Sequence, residues 1–262
     1  MKKPNTFANL TQSLIRYLNC PCQSFEPMED DDPIQNAYRQ ARDRGAREGF
    51  LPVLVVVNET LWECLVMNSG QDDDADDFAF DPGAVANYRD AMLSAPLKSG
   101  RLVLDHLTGV RREEASEDDI DWDEEILGEM AGGEAIDRFC GYWDYSTKKT
   151  YPLVLAEIPV SRPWEIFAWL PFGGWNECPD TPELMAVSKY WFELYGAVPA
   201  VITHDVLEYS LPAPVGDDAA VKLALEHYAW CPDVVDQGSE DGTVGTLADT
   251  LRQSTIWYFW WD

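Results

Sequence analysis

The chain is poor in positive charge: 19 basic side chains face 47 acidic ones among 262 residues, a formal charge of −28. Such a surface repels phosphate backbones and anionic lipid, which excludes nucleic acid and membrane as main partners and leaves a protein, above all a basic one. Long apolar runs are missing too, and nothing approaches the length that spans a bilayer. The opening MKKPNTFANLTQSLIRYLNC mixes apolar and polar residues instead of forming the continuous apolar stretch of a secretory leader. Cysteine is sparse, and Cys20, Cys22, Cys64, Cys140, Cys178 and Cys231 are scattered through a chain long enough to fold without staples. That usage predicts reduced thiols and a cytoplasmic location. Cys20-Pro21-Cys22 is too tight for an ordinary disulfide and lacks the second pair a zinc site needs, so it reads as a loop. No repeat is visible.

What is present predicts a folded chain of alternating elements. DDDPIQNAYRQARDRGAREGF has Asp32 in a capping position, Pro33 in the first turn and Ile34, Ala37, Tyr38 and Ala41 on one face of a helix. FLPVLVVV follows as a continuous β-branched run, the mark of a strand covered on both faces. NETLWECLVM is a short helix capped by Asn58 or Thr60. DPGAVANYRDAML is a helix with Pro82 in its first turn, and RLVLDHL (101–107) reads as a strand. Two acid-rich stretches, 72–81 and 113–125, carry like charges too dense to pack and read as solvated loops, with docking of a basic partner as the alternative. Neither has the ligand spacing of a calcium loop.

Beyond residue 145 the signals sharpen. TYPLVLAEIPV is a strand, and SRPWEIFAWL a helix with Ser161 as N-cap. TPELMAVSKYWFELYG is a helix capped by Thr181, with Pro182 and Glu183 in its first turn, a stripe of Leu184, Val187, Trp191 and Leu194, and Gly196 as the stop. PAVITHDVLEYSL is a hairpin turning near His204 and Asp205. DDAAVKLALEHYAW is a helix ended by Cys231-Pro232, and VGTLADTLRQ a helix leading into the closing TIWYFWWD. In a strand Trp257, Phe259 and Trp261 share one face while Tyr258, Trp260 and Asp262 share the other, so this tail asks for cover on both sides. The element order predicts an α/β or α+β chain, a mixed sheet flanked by helices with the aromatic strand buried in it. The expected division is an N-terminal α/β unit with acidic loops, 1–148, and a C-terminal domain, 149–262.

Candidate chemistry is thin. His227 and Cys231 stand four apart at a helix end, with Asp233 nearby and Cys178 on another loop, a set able to form a nucleophile–base pair or to bind zinc. A packed helix terminus explains the same residues. FGGWNECPD has two glycines but not the lysine of a phosphate-binding loop, so it reads as a tight connection in which Asn176 bonds backbone and Trp175 plugs the core or lines a groove. No metal or cofactor is expected.

The segments PFGGWNECPD, KYWFELYGA, EHYAWCPDVVDQG and WYFWWD, in this order over 151–262, resemble the bacterial domain-of-unknown-function family 4253, and the stretch near 37–57 resembles the upstream segment of longer members. The resemblance implies a bacterial cytoplasmic protein whose last strand is integral, and by analogy with families of this style an immunity protein. Two functions stay open. One is an interaction protein that neutralises a basic toxin domain by binding it, through Trp175, Asn176 and Glu177 and the acidic Asp118, Asp119 and Asp121. The other is a hydrolase or metal-dependent enzyme using Cys178, His227, Cys231 and Asp233.

Overall fold

The computed structural model describes residues 6–71, 78–238 and 242–262. Helix α1 (Thr6–Leu18) buries Leu10, Leu14, Tyr17 and Leu18 on one stripe, and strand β1 (Cys22–Phe25) follows at once. Neither element is among those expected from the residues: the helix mixes apolar and polar residues, and the strand spans four residues. Helix α2 (Asp32–Glu48) buries Ile34, Tyr38 and Ala41 and stops where Gly49 adopts φ 80°. Its N-cap is Asp31, one residue before the expected Asp32. The Asp31 side chain does not cap the helix; it binds Arg138, Gln35 and Tyr142 instead. Strand β2 (Leu51–Val56) is buried along nearly its whole length, and helix α3 (Glu59–Asn68) is capped by Asn58, which accepts from the Leu61 N–H.

Helix α4 (Pro82–Ser94) begins at Pro82 as expected, with Asp81 accepting from the Gly83 N–H. Helix α5 (Gly100–Glu117) corrects the reading of 101–107 as a strand. Leu104 is buried while Leu102 points out, and Arg101–Asp105 and Arg111–Glu114 pair at helical spacing. The acid-rich 113–125 is likewise not a loop throughout, since it closes α5 and enters a π-helical turn, Trp122–Leu127. Of the other acidic stretch, 72–77 lies outside the described residues. A two-stranded ribbon, β3 (Trp143–Asp144) and β4 (Lys149–Thr150), precedes strand β5 (Leu153–Ile158).

Ser161 is not an N-cap: a 3-10 turn, Pro163–Glu165, starts after Arg162 because Pro163 sets the first helical φ, and only the short α6 (Ile166–Trp169) continues it. Helix α7 (Thr181–Tyr195) is capped by Asp180, not Thr181, with Asp180 accepting from the Glu183 N–H. Leu194 leaves the predicted stripe and is exposed, because the last turn of α7 runs past the core. Strands β6 (Val198–Ile202) and β7 (Val206–Ser210) form the expected hairpin. Helices α8 (Asp217–Trp230), α9 (Asp233–Asp236) and α10 (Val244–Leu251) then lead to β8 (Ile256–Trp260).

Six strands make one mixed sheet in the order β1-β5-β2-β6-β7-β8. The β2–β6 pair is parallel and the other four pairs are antiparallel. Strands from before and after residue 148 therefore alternate, with β5 seated between β1 and β2. One face carries Val53, Val55, Val154, Ile202, Tyr209, Trp257 and Phe259 against most of the helices. The other carries Leu54, Val56, Leu155 and Ile256 against α2, Phe139 and Tyr142. The aromatic tail is integral to the sheet, but β8 is an edge strand. Trp257, Phe259 and Trp261 are buried, whereas Tyr258 and Trp260 are only half-covered. Cover on both sides, expected from the residues, is complete over Trp257 and Phe259 and partial on the other face, where Ile256 is buried and Tyr258 and Trp260 are half-covered. No helix among the described residues is long and apolar enough to cross a membrane.

Candidate functional site

The sharpest concentration of charge lies where the end of α5, the loop before α7, α9 and the tail meet. The loop reaches this place because Gly173 allows the chain to fold tightly on itself; a Cβ there would lie 2.0 Å from the Pro179 carbonyl oxygen. Trp175 and Cys178 form an isolated antiparallel bridge, which turns Glu177 outward. Asn176, at φ 44°, does not bond within its own turn as expected; its Nδ2 donates to the Asp262 carbonyl oxygen at 2.9 Å. Asp233 accepts from the Asp262 N–H at 3.1 Å. These two bonds hold the tail beside α9.

The resulting pocket, about 580 Å³, has Ile126, Tyr228 and Trp261 among its apolar lining. Around them stand Glu114, Asp118, Glu177, Asp233, Asp236 and Asp262, with Arg111 the one basic residue in the lining. Arg111 donates to Glu114 at 3.0 Å and also pairs with Glu177. Burial opposes its charge, but the bonds to Glu177 and Glu114 outweigh that and raise its pKa. Asp236 is pushed up, by burial first and then by Asp233, with Arg111 only partly offsetting. A carboxyl that resists ionising among its own kind marks a pocket with more negative charge than one guanidinium neutralises.

The sequence-predicted binding residues divide. Asp118 and Glu177 line this pocket, whereas Asp119 does not, and Asp121 is spent on the π-helical turn, accepting from the Asp123 and Glu124 N–H groups at 3.0 Å each. Trp175 packs against the core and donates to the Phe172 carbonyl at 3.1 Å. Arg111, Glu114, Asp236 and Asp262 were missed. The first two lie on the helix read as a strand up to residue 107 and as a charged loop from 113, and a charge pair three apart was the available signal.

Among the described residues no hydrogen bond joins the other predicted set, although after burial Cys231 adds to the rise of the Cys178 thiol and Asp233 to that of Cys231. Cys231 Sγ donates to the Trp260 carbonyl at 2.9 Å, and burial pushes its pKa up to about 12. Burial likewise raises Cys178. His227 is enclosed by Trp191, Trp257 and Phe259 with ring centroids 5.0, 4.8 and 4.6 Å away, and burial pushes its pKa down to about 3. Its Nε2 has no partner and neither thiol bonds to the ring, while Asp233 turns to Gln237 and the tail. All six cysteines are free. Among the described residues, three acidic ligand atoms approach within 4.8 Å at Asp30, Asp31 and Asp32, where Asp31 is already bound to Arg138, Gln35 and Tyr142.

Residues 154–262 match the family model of DUF4253, a domain of unknown function. No curated protein and no solved structure matches the chain. The DUF4253 region contributes Glu177, Asp233, Asp236 and Asp262 to the pocket, while α5, outside it, contributes Arg111, Glu114 and Asp118. It contains most of β5 and all of β6, β7 and β8, and β2, which lies between β5 and β6, comes from outside the match.

Proposed function

We propose that this chain is a bacterial, cytoplasmic interaction protein of the immunity type, which neutralises a basic toxin domain by binding it and receives a cationic side chain of that partner in the acidic pocket. The observation that carries the reading is the charge imbalance there, six acidic residues against Arg111; Asp236 is pushed up by burial first and by Asp233 second. An arginine or lysine entering the pocket gains charge-assisted bonds to its carboxylates, and it relieves the repulsion between Asp233 and Asp236. The net charge of −28 speeds the approach of a cationic partner from a distance.

Co-expression with the product of the adjacent gene tests this. Growth should be rescued and a complex should co-purify, with an association rate that falls as salt rises. Asp118→Asn and Asp236→Asn should slow association by about tenfold at low salt, while leaving the fold intact. Glu177 is a poorer choice, because its removal strips a partner from Arg111. A neighbour that is harmless when expressed alone, or binding indifferent to both variants, would sink the proposal.

A further inference from the structure

Arg89, on α4, is a buried cation without a carboxylate. Its guanidinium lies over the rings of Tyr17 and Trp169, 5.4 and 4.8 Å from their centroids, and Nη2 donates to the Tyr17 carbonyl at 2.7 Å. Nε is buried with no partner, and no ion pair reaches the side chain among the described residues. A guanidinium offers five donors, and one is used. Burial alone lowers its pKa, and only Tyr17 and Cys20 act against that. In a chain with 47 acidic side chains the missing counter-charge is not for want of supply.

The same guanidinium borders a cavity of about 520 Å³. Arg16 lies on its rim, exposed, bonded to Ser13 Oγ at 2.8 Å and to no carboxylate. Tyr17 and Phe80, edge to face with centroids 5.5 Å apart, supply an aromatic wall, and Val85 adds to it. Asn19, at φ 51°, brings an amide to the mouth where α1 ends. Among the described residues the lining holds two arginines and no acid, the reverse of the pocket at α9.

We propose that this cavity binds a small organic oxyanion, a carboxylate or phosphate monoester on a flat apolar body. The head takes the unused donors of Arg89 and the guanidinium of Arg16, since the planar fork of arginine matches an oxyanion edge. The body stacks against Tyr17 and Phe80. The volume suits a ligand of metabolite size.

Titrating the full chain with benzoate, phenyl phosphate and inorganic phosphate, read by melting midpoint and tryptophan fluorescence, tests the site. Trp62 touches Phe80 and Trp169 touches Arg89, so both report on it. At least one aryl anion should raise the melting midpoint saturably and bind at least about tenfold more tightly than inorganic phosphate, and the tighter of the two identifies the head group. Arg89→Gln should abolish binding, but it also cuts the bond from α4 to α1 and can unfold the protein. Arg16→Gln, at an exposed position, carries the test independently: it should weaken the aryl anion about tenfold with the free protein's melting unchanged. No saturable response to either aryl anion, undiminished binding in Arg16→Gln, or inorganic phosphate binding as tightly as the aryl anions would overturn the proposal.

Discussion

Glu208 is a carboxylate placed where carboxylates are costly. It sits in the middle of β7, fully buried, accepting from the Cys140 N–H at 2.9 Å and the Gly141 N–H at 3.2 Å. Burial pushes its pKa up to about 7 against those two bonds, and the groups that face it, Cys140, Tyr142, Tyr145 and Tyr258, are all raised, by burial first and by Glu208 to a lesser degree. The native state therefore binds a proton that the unfolded chain, with an ordinary glutamate, has released. Stability from this group is complete below about pH 4.5 and is lost as pH rises to about 7, by up to about 3 kcal/mol. The stability difference between wild type and Glu208→Gln should follow that slope in denaturant unfolding; a flat difference would show that Glu208 is ionised in the native state over that range as it is in the unfolded chain. His227 works in the opposite direction. Its native pKa of about 3 lies below the unfolded value of 6.5, so stability present above pH 6.5 is lost as pH falls toward 3, by up to about 5 kcal/mol. His227→Phe, among three aromatic rings, should move the acid-unfolding midpoint to lower pH, and an unmoved midpoint would mean that protonation of His227 does not drive acid unfolding.

Among the elements, β8 and α5 carry the tests. Each of Trp257, Phe259 and Trp261 contributes a ring to the core, and truncating one such ring costs about 3–5 kcal/mol. A domain of this kind holds about 5–15 kcal/mol in total. A chain ending at Thr255 should therefore lose its cooperative melting transition and become insoluble. If the tail were a docking hook, the truncated chain would stay folded and lose binding alone. Helix α5 makes a closer test of packing, since a Cβ on Gly100 would lie 2.3 Å from the Ala186 carbonyl oxygen and 2.8 Å from Tyr190 Cβ, both on α7. Gly100→Ala should cost about 1–3 kcal/mol. Gly109→Ala on the same helix, where nothing lies within 4 Å, should instead gain about 0.5–1 kcal/mol. Equal effects at the two glycines would show that α5 does not rest on α7 in this way.

Across the whole molecule, one charge imbalance acts on two properties with opposite sign. A net charge of −28 loads the folded state with self-repulsion that salt relieves, and the same field draws a cationic partner that salt conceals. Raising salt from about 0.01 M to about 0.15 M shortens the screening length from about 30 Å to about 8 Å. The melting midpoint should rise over that range while association with a basic partner slows. If both moved in the same direction, the carboxylates would not be the common cause.

Much of this molecule was legible in its residues wherever a signal is local. Thr181, Pro182, Glu183 and Gly196 bracket α7 within one residue of its ends, the cap itself being Asp180, because caps and φ preferences act over three or four positions. The continuous run of β2 declared a strand covered on both faces, and it is one. Local reading failed where a short apolar run fits two periods: 101–107 holds Leu102, Val103, Leu104 and Leu107, and only continuation to Glu117 makes it a helix. Half of the acidic pocket was visible, as Asp118, Glu177 and Asp233, since dense charge is evident in any order of residues. Arg111, Asp236 and the tail's arrival beside α9 were not, because that meeting depends on where β8 lies. The sequence by itself determined the elements with local caps and unbroken periods, such as α2, β2 and α7, the aromatic load of the last strand and the sign of the surface. Only the tertiary structure decided that β5 enters between β1 and β2, that β8 closes one edge with a half-covered face, and that Arg89 is buried without a counter-charge. Those outcomes come from pairing residues far apart in the chain, such as Leu54 with Leu155 and Leu54 with Val201, and no local preference records which distant strand will complete a ladder.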